Sequence, residues 1–207
     1  MRRYAGDLLR QFRPTEHILH GRLGRWPWHR CPLRRSCGGD CPCSRSPSFL
    51  ARHSAACRSR RPGPSLDELA SRLANECDWL VANDVLPVDV VTRNRRLAET
   101  VLRPWTPVFI HGDLQITHVF VKDDEVTGIL DWSEASQGDG LNDLATLTLT
   151  HEEHLDDVVA GYGSDVDLDL IRAWWSFRSL TTIRWLAENG YGSPETFPEV
   201  AVLRGRP

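Results

Sequence analysis

The sequence predicts an α+β fold in which helices outnumber strands. Between residues 64 and 190, apolar residues recur at helical spacing in five stretches, and three short apolar runs lie between the second stretch and the third. Short apolar runs bounded by turn residues are typical of β-strands. The order of two helices, a small β-hairpin insert and three more helices therefore predicts a mainly helical domain with little sheet.

Two helices precede the β insert. Ser65 and Glu68 have the spacing of a capping box, in which each side chain accepts a hydrogen bond from the backbone N–H of the other residue. The apolar residues that follow step by three and four along one helix face: Leu66, Leu69, Leu73, Cys77 and Leu80. Pro87 opens the second helix, and Pro104 marks where it must already have stopped.

Three helices are predicted after the insert. The first begins at Asn142 or Asp143, the second covers residues 151–162, and the third covers residues 168–189. The third is rich in large apolar side chains: Trp174, Trp175, Phe177, Leu180, Ile183, Trp185 and Leu186. Gly190 follows it, and glycine commonly ends a helix because it adopts the left-handed conformation freely.

The predicted β insert presents two aspartates. Strands are expected at residues 108–110, 119–121 and 126–130, with a turn at Lys122-Asp123-Asp124. The first strand leads into the turn His111-Gly112-Asp113, and the third leads into Asp131. We therefore expect Asp113 and Asp131 to lie at neighbouring strand ends. Such a pair suits phosphoryl transfer, in which one aspartate accepts the proton of the attacking hydroxyl and another holds Mg²⁺.

Three motifs occur in a fixed order within 35 residues. They are His111-Gly112-Asp113-Leu114, then Leu130-Asp131-Trp132, then Gly-Asp-Gly-Leu-Asn-Asp-Leu-Ala at residues 138–145. They resemble the pattern of the aminoglycoside phosphotransferase family, which is similar to choline kinases and protein kinases: His-Gly-Asp-Leu-x-x-x-Asn, Ile-Asp-Trp and Gly-Asp-Pro-x-x-Asp-Leu-Ala. The resemblance implies a protein-kinase-like fold, here mainly its helical C-terminal lobe, with the N-terminal lobe missing or disrupted.

The resemblance also implies roles for individual residues. Asp113 is the expected general base, and Asp131 the expected Mg²⁺ ligand. His111 and Asp143 are expected to support the catalytic loop, with His111 fixing the loop backbone through a hydrogen bond to a partner such as Asp143. By the same resemblance the phosphoryl donor is ATP or GTP, and the acceptor is a hydroxyl of an aminoglycoside or another small polar metabolite.

Two positions depart from the family pattern. His118 stands where the family has a metal-binding asparagine, and imidazole is a poor ligand for Mg²⁺ but a good one for Zn²⁺ or Mn²⁺. The departure is compatible with one metal instead of two, with a His118 ring turned out of the site, or with a different metal. The only lysine, Lys122, lies in the predicted hairpin turn, so it does not match the phosphate-binding lysine of the small lobe.

The first 63 residues have a different character from the rest. They carry 14 arginines and 3 acidic residues, a balance of +11, whereas residues 64–207 have a balance of −14. We interpret residues 1–63 as disordered or as translated out of frame from GC-rich DNA, with residues 1–13 able to form the first helix of the large lobe. A basic nucleic-acid-binding tail and a zinc knot built on the five cysteines between Cys31 and Cys57 are the alternatives.

Composition excludes some classes of protein. No run of 18 apolar residues occurs, and residues 1–13 lack an apolar stretch of signal-peptide length, so we expect a cytoplasmic protein that inserts into no membrane. Nucleic acid is not the expected partner of the domain formed by residues 64–207. Two other functions stay open: a catalytically inactive kinase-like binding module, and a metallohydrolase that uses His111, Asp113, His118 and Asp131.

Overall fold

The computed structural model describes residues 61–122, 125–162 and 166–205. The predictions for residues 1–60, which include the helix at residues 1–13, the zinc knot and the basic tail, lie outside these ranges, as does the turn at Asp123 and Asp124. Among the described residues, no helix is both long enough and apolar enough to cross a membrane.

The described part of the chain has six α-helices, and the predicted fold class is confirmed. The helices are α1 (Leu66–Ala82), α2 (Val88–Glu99), α3 (Gly140–Thr148), α4 (Leu155–Tyr162), α5 (Leu168–Glu188) and α6 (Pro198–Gly205). The capping box that begins α1 is present, because the Ser65 N–H lies 2.7 Å from Glu68 Oε2 and the Glu68 N–H lies 3.2 Å from Ser65 Oγ. Helix α6 was not predicted. It is short and buries only Val200 and Leu203, too few apolar positions for a clear helical period.

The four strands form two separate antiparallel pairs. They are β1 (Val108–Ile110), β2 (Val119–Lys122), β3 (Glu125–Ile129) and β4 (Ser136–Gly138). Strand β2 pairs with β3 as predicted, but β1 pairs with β4. The expectation that Asp113 and Asp131 follow neighbouring strands is therefore wrong. The sequence of β4, Ser-Gln-Gly, contains no β-branched or aromatic residue and gave no strand signal.

Helix α5 is the centre of the core. It packs against α1, α2, α3 and α6. Its most buried side chains include Ile171, Trp175, Leu180 and Ile183, each with no measurable exposure. The Trp175 indole N–H donates to the Ala145 carbonyl (2.9 Å) and so fixes α3 against α5. This contact matters for function because α3 carries Asp143.

The short segment that precedes α1 lies along β4. The Gln137 N–H donates to the Arg61 carbonyl at 2.9 Å, and the Arg61 guanidinium donates to the Ser133 carbonyl at 3.2 Å. A Cβ at Gly63 would lie 1.9 Å from the Gln137 carbonyl oxygen, so only glycine allows this close approach. The segment therefore touches both β4 and the turn that follows Asp131.

Candidate active site

The Asp143 carboxylate holds the backbone of the His-Gly-Asp turn through two hydrogen bonds. The carboxylate of Asp143 accepts the His111 N–H at 2.6 Å and the Gly112 N–H at 2.9 Å. Asp143 reaches the turn because Asp139, four residues earlier, caps the start of α3 by accepting the Leu141 N–H. Burial raises the pKa of Asp143, and the two N–H donors oppose that rise by stabilising the anion.

Glycine is required at the centre of this turn. Gly112 has a φ of +83°, a left-handed conformation that side chains disfavour. A Cβ there would lie 2.6 Å from the carbonyl oxygen of Glu134, which belongs to the turn after Asp131. The His-Gly-Asp turn and the Asp131 turn are thus in direct backbone contact.

The His111 ring joins the same two turns. It is buried, its Nε2 lies 2.8 Å from the Leu130 carbonyl, and its Nδ1 accepts the Asp113 N–H at 3.2 Å. Since a carbonyl can only accept and an N–H can only donate, the ring carries its proton on Nε2. Both nitrogens are therefore used by the backbone, which leaves His111 no lone pair for a metal. The hydrogen bond between His111 and Asp143 is made by the backbone N–H of His111.

The Asp113 side chain receives donors from two directions. Arg178, from α5, donates through Nη2 to Oδ1, and Gln115 Nε2 lies 3.0 Å and 3.1 Å from the two carboxylate oxygens. The carboxylate is still 23% exposed, so a small molecule can reach it. Sequence reasoning missed Arg178, because it lies 65 residues further along the chain on a helix whose pattern indicated only core packing.

Asp131 follows β3 in a left-handed conformation, with φ +60° and ψ +57°. A non-glycine residue pays a conformational cost there, and such positions are common at functional sites. Its Oδ1 accepts the Ser133 hydroxyl at 2.9 Å, and this hydrogen bond lowers the pKa of the exposed Asp131 carboxyl. The side chain is 55% exposed and is held by few other contacts that the structure shows.

His118 lies between the two aspartates. Its Nδ1 is 2.9 Å from the Asp113 carbonyl and 4.0 Å from Asp113 Oδ2, and its Nε2 is 4.0 Å from Asp131 Oδ2. The two carboxylates therefore lie beside the two different nitrogens of one imidazole ring. The structure thus brings together all five residues that the sequence indicated: His111, Asp113, His118, Asp131 and Asp143.

The donor atoms at this site suit a cation only in part. Asp131 offers carboxylate oxygen, which Mg²⁺ prefers, but His118 offers nitrogen, which Mg²⁺ does not. No cluster of three or more His, Cys, Asp or Glu side chains placed to hold a metal occurs in the described ranges. The protein can thus supply two ligands here, and water or phosphate oxygens would have to supply the others.

The mainly helical α+β fold, with a His-Gly-Asp turn beside a second aspartate turn, agrees with the phosphotransferase resemblance of the sequence motifs. The sequence matches the model of the phosphotransferase enzyme family, APH, over residues 47–193, which is more than half of the chain. The chain therefore belongs to the APH phosphotransferase family.

Three solved structures are similar to the chain, and the first of them supports the fold. An aminoglycoside phosphotransferase, APH(4)-Ia, is similar with a TM-score of 0.51 and 16% identity, covering 72% of this chain and 59% of that one. A macrolide 2'-phosphotransferase type I aligns with a TM-score of 0.49 and 21% identity over 76% of this chain and 52% of its own. The macrolide 2'-phosphotransferase MphH from Brachybacterium faecium has a TM-score of 0.47 and 19% identity over 78% and 57%.

The chain thus spans between half and three fifths of the length of these enzymes. No curated protein matches the sequence at a significant level. At these identities the likeness to solved structures concerns the fold alone.

Proposed function

We propose that this chain transfers the γ-phosphoryl group of ATP or GTP to a hydroxyl of a small polar molecule, with Asp113 as the general base. One observation carries the proposal: the carboxylates of Asp113 and Asp131 face the two nitrogens of the same His118 ring at 4.0 Å. Phosphoryl transfer needs a base for the acceptor and a cation site for the donor in the same active site.

Asp113 orients the acceptor in this proposal. Arg178 and Gln115 fix its carboxylate, and the N–H of Asp113 is fixed by His111. A carboxylate held in one orientation accepts a hydrogen bond from the acceptor hydroxyl along a defined line, so the hydroxyl oxygen is aimed at the phosphorus atom. The hydroxyl proton passes to Asp113 late in the transfer.

Asp131 is the residue that we assign as a ligand of the metal ion that accompanies the donor nucleotide. A divalent cation held there by Asp131 and His118 would supply positive charge that neutralises the charge developing on the donor phosphates. Asp131 contributes an exposed carboxylate whose anionic form is further stabilised by the Ser133 hydroxyl, which lowers its pKa. His118 is the second residue that we assign to this site, and His111 and Asp143 hold the turn that presents Asp113.

The acceptor is proposed as a class. Residues 64–207 carry a net charge of −14, which favours the approach of a cationic acceptor such as an aminoglycoside. Arg178 acts against this preference close to Asp113, because its guanidinium already occupies one side of the carboxylate. We therefore propose a polar acceptor whose reactive hydroxyl, and not an amine, contacts Asp113. Since nucleoside triphosphates are cytoplasmic, the proposal also keeps the predicted cytoplasmic location.

The test is phosphoryl transfer by the whole chain. Purified wild type is incubated with γ-labelled ATP or GTP and a panel of aminoglycosides, macrolides and simpler polyols, with Mg²⁺ and Mn²⁺ in separate arms. Asp113→Asn should lower transfer by about a hundredfold or more, because general base catalysis supplies that order of rate. Asp169→Asn, an exposed acid on α5 outside the site, should leave transfer unchanged.

Transfer that survives Asp113→Asn would remove Asp113 from the mechanism. The inactive binding module is the second candidate, because the only lysine of the chain, Lys122, ends β2 in the large lobe. It predicts a nucleotide-dependent rise in melting temperature without transfer to any acceptor. The hydrolase alternative is disfavoured, because both His111 nitrogens are occupied by the backbone.

A further inference from the structure

We infer that His118 gives the metal site of this chain a preference for nitrogen-accepting transition metals, represented by Co²⁺, over Mg²⁺. The inference deepens the proposed function and rests on it in one respect, since it takes the Asp131 side of the phosphotransferase site as the metal side. The inference is about which metal ion the chain binds, and metal binding can be measured without knowing the acceptor.

The Asp113 carbonyl fixes the position of the proton on the His118 ring. Nδ1 lies 2.9 Å from the Asp113 carbonyl, which can only accept, so Nδ1 carries the proton and donates it. The lone pair of the neutral ring is then on Nε2. Histidines that bind metals in proteins are held in this way, because a hydrogen bond from the other ring nitrogen fixes the tautomer and the orientation of the ring.

The ring nitrogen that keeps its lone pair, Nε2, is the one that lies next to Asp131. Nε2 lies 4.0 Å from Asp131 Oδ2, and the ring is 20% exposed. Asp131 Oδ1 is held by Ser133, which leaves Oδ2 on the side of the imidazole. One nitrogen and one oxygen thus face each other across a gap into which a cation fits after a small movement of the exposed Asp131 side chain. The His118 ring is not turned out of the site.

Mg²⁺ and the transition metals differ in the ligand atoms that they favour. Mg²⁺ is hard, keeps its water ligands and favours oxygen, so a fixed imidazole adds little to its binding. Co²⁺, Zn²⁺ and, more weakly, Mn²⁺ gain from a nitrogen ligand. An asparagine at position 118 would offer an amide oxygen and favour Mg²⁺ instead. His118 should therefore shift the ratio of affinities, while Asp131 contributes to the binding of either ion.

A plain ion pair is the competing explanation of the same geometry. If His118 is protonated on both nitrogens, its separation from Asp131 is that of a weak imidazolium–carboxylate pair. The chain contains a similar pair elsewhere, with His154 Nε2 at 3.9 Å from Glu153 Oε1. His154 therefore provides a matched control of the same chemical type outside the proposed site.

The experiment measures Co²⁺ and Mg²⁺ affinity on the whole chain, with each metal alone and with ADP added. Visible absorption of Co²⁺ reports nitrogen ligation directly, and competition with Mg²⁺ gives the ratio of affinities. The variants are His118→Asn, His118→Gln, Asp131→Asn and His154→Asn, each checked for folding by circular dichroism. Neither readout depends on phosphoryl transfer.

The wild type should prefer Co²⁺, and His118→Asn should reduce the Co²⁺-to-Mg²⁺ affinity ratio by about tenfold, the order lost when a metal ligand set is perturbed. His154→Asn should leave the ratio unchanged. The inference is overturned if wild type and His118→Asn give equal ratios, if His154→Asn lowers the ratio as much, or if the wild type binds neither ion with or without ADP. Equal ratios in an enzyme that transfers phosphate would leave the proposed function standing.

Discussion

The two turns that form the candidate site are built in opposite ways. Residues 111–115 are held by partly buried groups from α3 and α5, since the Asp143 carboxylate accepts from the backbone and Arg178 pairs with the Asp113 carboxylate. Residues 131–134 are mostly exposed, and their side-chain hydrogen bonds are largely local, such as the one from Ser133 to Asp131. The fold itself therefore orients the proposed base, whereas the side chain of the proposed metal ligand, Asp131, is exposed and has room to move.

The largest effect is expected where the two turns touch. Gly112→Ala places a Cβ 2.6 Å from the Glu134 carbonyl oxygen at a residue with a φ of +83°. We expect a loss of about 3 kcal/mol in the free energy of unfolding, because steric overlap and a left-handed backbone both oppose the substitution. Urea unfolding of both proteins measures it.

Gly128→Ala is the matched control for this prediction. Gly128 lies on β3, and a Cβ there meets no atom within 4 Å. Its effect should stay within about 0.5 kcal/mol. Equal losses in the two variants would show that the contact between the turns is not tight.

The second effect concerns the attachment of Asp113 to the core. Arg178→Gln removes the guanidinium that pairs with Asp113 in a partly buried setting. We expect a loss of about 1.5 kcal/mol in unfolding free energy, the order of a charge-assisted hydrogen bond. Phosphoryl transfer should fall mainly through kcat, because a misaligned base affects the reaction more than acceptor binding. Arg178→Lys should recover part of it.

Arg184→Gln on the same helix is the comparison for Arg178. Arg184 pairs with Glu188 one turn away and lies over the Trp79 ring at 5.5 Å, and both charged side chains are well exposed. Exposed contacts of these types contribute about 0.5 kcal/mol each. If Arg184→Gln costs as much as Arg178→Gln, then the ion pair to Asp113 has no special role in the turn.

The smallest effect is expected on the exposed turn. Ser133→Ala removes the hydroxyl that is the main cause of the lowered pKa of Asp131. The pKa of Asp131 should rise towards its ordinary value, and this is measured by the pH dependence of its ¹³C carboxyl resonance. Because the folded-state pKa is lowered, the contribution to stability is present at neutral pH and is lost as pH falls through that pKa. Ser133→Ala should therefore lower the free energy of unfolding slightly near neutral pH, and the difference from the wild type should disappear at a pH below that pKa.

The sequence predicted what local chemistry controls. The capping box of α1 and the series of large apolar residues in α5 depend on residues close together in the chain, and both helices are present. The five indicated site residues belong to three motifs that keep a fixed order within a short stretch. The structure brings them together, and their roles stay predictions.

Long-range contacts could not be predicted in the same way. Strand β4 has no strand-forming side chain, and it exists because β1 and the segment containing Arg61 pair with it. The position of Arg178 beside Asp113 depends on how α5 packs against the other helices. Neither contact has a periodic or local signal.

If Asp113 and Asp131 border one site, a metal ion bound there lies close to both carboxylates. Paramagnetic Mn²⁺ can test this proximity. Carboxyl carbons of aspartate are labelled with ¹³C and assigned with Asp113→Asn and Asp131→Asn, and Mn²⁺ is then added together with ADP. A bound paramagnetic ion broadens resonances in its neighbourhood. If both residues border the ion site, the Asp113 and Asp131 resonances should broaden together while that of Asp169 stays sharp. Broadening of Asp131 with an unaffected Asp113 would contradict it.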